Sequence, residues 1–375
     1  MKELSKAGLS GTWIGVVRAQ MGCAIGLAGI LLAAGCQRDY GAVRVPDLPI
    51  VDLSQSTGRP ELADSSDELN PRLLLRFASI HSPPKGRETD LVRLGRILYF
   101  EPLLSRTGKI SCDSCHPLDR YGTTNTKVSV GIDGKRGLRN APSVYNAAGH
   151  FRQFWDGRAA SLAEQVPEHL SDTFEMGMPP EQVERTLKGI PGYKPLFAAA
   201  FPGQEQPITV AKVAVAIAEF ERGLITPSRW DHYLDGDVHA LTAVEKEGCK
   251  LFSNFGCLVC HTGANIGGSM YEKLGVYAPW PYQQDHGRRE VTKNPADDMV
   301  FKVPSLRNVA RTAPYFHDGS TESLDTAVRM MAQHQLGVDL SEEEVRSIAA
   351  WLASLTGDIP GEYIAPPVMP TAMRR

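Results

Sequence analysis

The sequence predicts a mainly α-helical chain built from two related halves joined by long loops. Three observations predict it. Apolar residues recur at helical spacing, as Val210, Val213, Ile217, Phe220 and Leu224 do over 209–224. No convincing run of alternating apolar and polar residues marks a strand. A Cys-x-x-Cys-His pentad occurs twice, as Cys112-Asp-Ser-Cys115-His116 and Cys257-Leu-Val-Cys260-His261, and a similar segment precedes each, Leu94–Phe100 and Lys246–Phe252.

The elements follow in chain order. Lys2, Lys6 and Arg18 precede a short apolar stretch, Met21 to Ala34, that ends Leu32-Ala33-Ala34-Gly35-Cys36. A charged start, a short apolar run and a small-residue cleavage site make residues 1–35 a signal peptide. Cys36 after Ala-Ala-Gly resembles a bacterial lipobox, so Cys36 is expected to carry lipid and anchor the chain without spanning the bilayer; the alternative is an ordinary signal peptide with an incidental Cys. Gln37 after it leans towards the outer membrane. Residues 36–70 are rich in Pro, Asp, Ser and Gly and read as a flexible tether. Two domains are expected beyond it, 71–228 and 229–360, with 361–375 as a tail. Ser341 and Glu344 form a capping-box pattern that opens a last helix through Ile348, Trp351, Leu352 and Leu355. The net charge of −3 carries no nucleic-acid signature, and 42% hydrophobic residues support a core.

Each pentad has the attachment signature of a c-type haem. Its two thiols, Cys112 with Cys115 or Cys257 with Cys260, have the spacing to add to two porphyrin vinyl groups, and His116 or His261 then reaches the iron. A zinc knuckle would need further ligands at short spacing, and neither pentad has them. Of seven Cys, Cys23 lies in the signal, Cys36 is the lipid candidate and four take haem. Cys249, on a helix, reads as a small buried hydrophobe. No pair remains for a disulfide.

Further segments exceed what an electron carrier needs. Phe100-Glu-Pro-Leu-Leu-Ser105 leads into the first pentad. Arg139-Asn140-Ala-Pro142, Gln153-Phe-Trp155-Asp-Gly-Arg158, Ser161-Leu-Ala-Glu-Gln165 and Phe174-Glu175-Met176 follow it. Pro304-Ser-Leu-Arg307-Asn308, Thr312-Ala-Pro314-Tyr-Phe-His317-Asp-Gly319 and Met331 before Gln335-Leu-Gly337 follow the second. From about Leu94 to Gly357 this resembles the bacterial diheme cytochrome c peroxidases, a family that includes the methylamine-utilisation diheme enzymes. The resemblance implies two cytochrome c-like domains with unequal haems. The first, on His116, is peroxidatic; the second, on His261 and Met331, accepts electrons. Met330 is the neighbour that replaces Met331 if the register slips by one. Trp155 lies between the haems, Gln165 and Glu175 form the distal catalytic pair, and Asn140, Thr312 and Pro314 belong to a calcium site, with His317 beside it. The quinone-maturing relatives carry Tyr where Met331 stands, which favours a peroxidase. The implied partners are hydrogen peroxide and a small periplasmic donor, a cytochrome c or a cupredoxin. A homodimer is a further implication.

The chain departs from the family pattern twice. Many members carry a distal His in the loop after the first pentad, which ligates the peroxidatic iron at rest; here Ile132 stands there, and Ile cannot ligate iron. Four residues after Gln165, where the family has Pro, this chain has His169. It is a candidate distal base, a candidate sixth ligand, or a residue displaced from the pocket; His150 is a weaker candidate. The expected activity is peroxide reduction. The alternatives are a diheme oxidase that modifies residues of a partner protein, and a carrier, which Gln165 and Glu175 argue against.

Overall fold

The computed structural model describes residues 68–83, 88–205 and 208–370. The expected signal peptide, Cys36 and most of the tether lie outside them. The described residues fall in one compact unit. Within it the chain is mainly helical: α1 (Asp90–Tyr99), α2 (Leu162–Ser171), α3 (Pro180–Lys188), α4 (Tyr193–Ala200), α5 (Val210–Arg222), α6 (Ala243–Asn254), α7 (Leu324–Met331) and α8 (Glu342–Ser354), with shorter turns between. The sheet is confined to β1 (Tyr271–Lys273) and β2 (Val300–Lys302), antiparallel, with Tyr271 opposite Lys302. Among the described residues no helix is long and apolar enough to cross a membrane.

Local chemistry sets the helix starts. Thr209 caps α5 by accepting from the Lys212 N–H, and Ser341 with Glu344 makes the expected capping box on α8. Thr242 with Glu245 does the same for α6. The apolar stripe of α5 is buried as its spacing predicts. It packs against α1 and α2, while α8 packs against α6. A glycine sits at each main crossing. A Cβ on Gly95 of α1 would lie 1.9 Å from the Ala216 carbonyl oxygen, and one on Gly248 of α6 would lie 1.9 Å from that of Ser347.

Two large apolar cores result. The first gathers α1 to α5, with Leu94, Leu98, Tyr193, Phe197, Ile217 and Phe220 at its centre. The second gathers Trp230, Phe252, Ile348, Trp351 and Leu355, and Cys249 is buried in it as expected. The end segments cross over. Leu69 and Phe77, near the described start, pack into the second core. Tyr363, Ile364 and Met369, near the described end, pack on the first, and the Tyr363 hydroxyl donates to the Phe220 carbonyl at 2.7 Å. The tether therefore ends earlier than its composition predicts. Glu68 already bonds Lys246 at 2.7 Å and accepts from the Tyr233 hydroxyl, and Leu69 is buried. The segment read as a tail is likewise packed through Met369.

Candidate active site

The first pentad forms a helical turn, Cys112–Cys115, closed by a Ser111–Ser114 capping box. All four pentad thiols are unpaired. The Tyr99 hydroxyl, from α1, donates to the His116 carbonyl at 2.7 Å. His116 Nδ1 lies 3.0 Å from the Gly122 carbonyl oxygen. A carbonyl only accepts, so Nδ1 carries the proton and Nε2 keeps its lone pair, the state a metal-ligating imidazole requires. Burial, with His169 nearby as a lesser cause, holds His116 down to about 4. His261 repeats the arrangement: its Nδ1 faces the Ile266 carbonyl at 3.2 Å, and burial holds it down to about 4. Two free thiols beside a neutral, backbone-oriented imidazole fit a c-type haem at both places.

Gln165 and His169 lie four residues apart on α2, so they share a helix face. His169 Nδ1 makes a short hydrogen bond to the Glu175 carboxylate. Burial pulls the His169 ring down, but the Glu175 charge outweighs it and holds the ring above its ordinary value. Burial likewise pushes Glu175 up, and the His169 charge holds it below the usual carboxylate range. The structure thus brings His169 onto Glu175 rather than displacing it.

The loop around Ile132, where the resemblance places a distal His, is pinned to the Glu175 segment. Ile132 donates its N–H to the Glu175 carbonyl at 2.9 Å. Its side chain is buried and lies where a Cβ on Gly177 would intrude, 2.3 Å from Ile132 Cδ1.

Trp155 stands between groups from both halves. Its indole N–H donates to the Asn140 carbonyl at 2.9 Å, and its own carbonyl accepts from the Lys302 N–H at 2.7 Å. The ring packs on the cluster of Trp280, Met299 and Phe301. Asn140 also binds the Thr126 carbonyl through its side-chain amide, at 3.1 Å, and its N–H reaches the His317 carbonyl at 2.7 Å. Asn125 donates to the carbonyls of Arg311 and Ala313 at 3.0 and 2.9 Å, which flank Thr312 and precede Pro314. The three residues expected at a calcium site therefore lie on loops tied together by two asparagines. Among the described residues no group of three or more His, Cys, Asp or Glu could hold a metal, so calcium here would rest on amide and carbonyl oxygens.

Met330 and Met331 end α7. The Met330 sulfur accepts from the Thr321 hydroxyl at 3.3 Å, and its side chain packs on the Trp280 cluster. Met331 leads into a π-helical turn, Ala332–Leu336, of the kind often found at functional sites.

Among the buried charged residues outside the motifs are Glu221 and Lys302. Glu221 is buried on α5, where burial pushes its carboxyl up to about 7, with His169 as the opposing charge. Its signal was legible, since it falls four residues after Ile217 on the apolar face. Lys302, in β2, is buried between Phe301 and Val303, and no short pattern marks it.

Residues 89–239 match the family model described as di-haem cytochrome c peroxidase. The cytochrome c551 peroxidase of Nitrosomonas europaea is 42% identical over 283 residues, 75% of this chain and 84% of that one. The chain belongs to the di-haem cytochrome c peroxidase family. It is accordingly an enzyme of the cytochrome c peroxidase class, and membership implies two c-type haems. The family's other branch is also similar: methylamine utilization protein MauG of Methylorubrum extorquens is 32% identical over 314 residues, 79% of this chain and 88% of that one. Among solved structures, a MauG-like protein associated with microbial copper homeostasis superposes with a TM-score of 0.67 at 29% identity, covering 77% of this chain and 97% of that one.

Proposed function

We propose that the chain reduces hydrogen peroxide to two waters with two electrons and two protons. The electrons come from a small periplasmic redox protein, a cytochrome c or a cupredoxin. The bound haems supply the iron that takes peroxide and the relay that stores electrons. His116 and His261 would hold the two haem irons, and Met331 would be a further ligand at the electron-accepting haem. Met330 is engaged by Thr321 and the Trp280 cluster, which supports Met331 in that role; a thioether ligand raises a haem potential. Trp155 spans the gap through which electrons pass. Asn140, Thr312 and Pro314 hold calcium.

On the distal side, Glu175 takes the proton that peroxide loses on binding and returns it to the leaving oxygen. His169 orients and charges Glu175, and Gln165 positions the peroxide. Ile132 leaves the first haem without the usual His lock, and its contacts fold the loop against Glu175 from the outset. The observation that carries this reading is the Glu175 carboxylate held by His169 beside a haem-binding pentad. The signal peptide and Cys36 support a lipid-anchored periplasmic protein. Glu175→Gln is the test. Haem content should stay at two per chain while peroxide turnover with reduced cytochrome c falls by about a hundredfold or more, the scale of a positioned proton transfer. Near-normal turnover rejects Glu175 as the acid–base group. The 32% identity to MauG favours a second reading, a peroxide-driven oxidation of a partner protein; it gains ground if the holoenzyme fails to turn over peroxide with any reduced carrier.

A further inference from the structure

Lys302 is 6% exposed. Its ammonium lies 3.0 Å from His150 Nδ1, and among the described residues no carboxylate pairs with it. Burial pulls the ammonium down to about 8. Burial and the Lys302 charge hold His150 well below its ordinary value. Because Nδ1 faces an ammonium, it accepts, so Nε2 carries the ring proton. That Nε2 is buried and has no hydrogen-bond partner. A buried ammonium thus stands against a neutral imidazole, with no carboxylate to balance its charge. A buried charge without a counter-charge is costly, and an anion meets it.

The pair borders the second pentad. His150 packs on Gly268, where a Cβ would lie 2.4 Å from His150 Cδ2. A Cβ on the preceding Gly267 would lie 3.3 Å from His261 Nδ1. The Phe151 N–H ties the same loop to the Gly268 carbonyl at 2.9 Å.

We propose that Lys302, held by His150 Nδ1, is the receptor for a haem carboxylate, a propionate side chain of the haem on His261. The proposal rests on the diheme reading and assigns two residues outside the attachment motifs to it. The carboxylate accepts from the ammonium, and the charge it brings cancels that of Lys302. Nearby, Asp156 and Asp285 each pair with Arg139.

The test is infrared spectroscopy of the holoenzyme carrying haem labelled with carbon-13 at its carboxylates, as oxidised-minus-reduced difference spectra. Covalent haem is counted separately by mass spectrometry, which checks the diheme reading on its own. In Lys302→Met the labelled carboxylate bands should shift and one midpoint potential should fall, because a positive charge near that iron is lost. Lys302→Arg should restore both. A fall at the His261 haem assigns the carboxylate as proposed; a fall at the His116 haem overturns that assignment. Unchanged labelled bands in Lys302→Met overturn the receptor whatever the potentials do, since loss of a nearby charge moves a potential without touching the carboxylate. If Lys302→Met takes up less than two haems, Lys302→Gln is read by the same criterion.

Discussion

His169 and Glu175 hold each other in opposite charge states. The Glu175 carboxyl is held below its usual value by His169, so its part of the pair is lost only as pH falls through that lowered value. The His169 ring is held above its usual value, so its part is lost as pH rises through that raised value. Between the two the pair is ionic, and both side chains remain about a third exposed, so solvent screens it. His169→Gln should remove an ionisation from the alkaline side of the peroxide turnover profile while leaving the acid side in place. Resting electron paramagnetic resonance tests the neighbouring position. With Ile132 in place of the distal His, the diferric enzyme should show a high-spin signal from the His116 haem and react with peroxide without a reductive lag. Two low-spin signals alone would refute this, and conversion of one to high spin by His169→Ala would name His169 as the replacement ligand. At the other haem, Met331→His should lower the potential, since imidazole favours ferric iron more than a thioether does; if Met330→His lowers it instead, the ligand is one residue earlier.

At the scale of elements, the helices that build the cores were the most legible. The 3.6-residue period and the Thr209 and Ser341 caps locate α5 and α8 closely. The pentads mark the proposed places of haem attachment. What the sequence did not resolve was whether His169 meets Glu175, because the loop between them allows either geometry and only the packing of Ile132 and Gly177 decides. Helix crossings were equally hidden, since a glycine in a helix looks like a weakness until its neighbour is seen. Gly95→Ala should destabilise the first core by about 1–3 kcal/mol, the usual effect of overpacking, because the added methyl meets the Ala216 backbone rather than a movable side chain. Equilibrium denaturation checks it. An unchanged midpoint would mean that α1 shifts along α5 at no cost.

For the whole molecule, chain order and packing order differ. Local patterns mark neither end segment as structural, because their partners lie more than a hundred residues away. Tyr363 stacks on Phe220 with ring centroids 5.1 Å apart. Tyr363→Ala should therefore loosen the first half by about 2 kcal/mol, less than a fully buried aromatic costs, although residue 363 follows the second pentad. Thermal melts followed at each haem's own absorption would resolve this; a loss confined to the His261 haem would contradict the packing. Glu68 and Leu69 make the reciprocal attachment to Tyr233 and Lys246. The crossed ends also bear on heredity. A gene fission near residue 228 would yield two fragments, each carrying a strap that belongs to the other and missing its own. Two haem modules are in this way bound to be transmitted, folded and lost together.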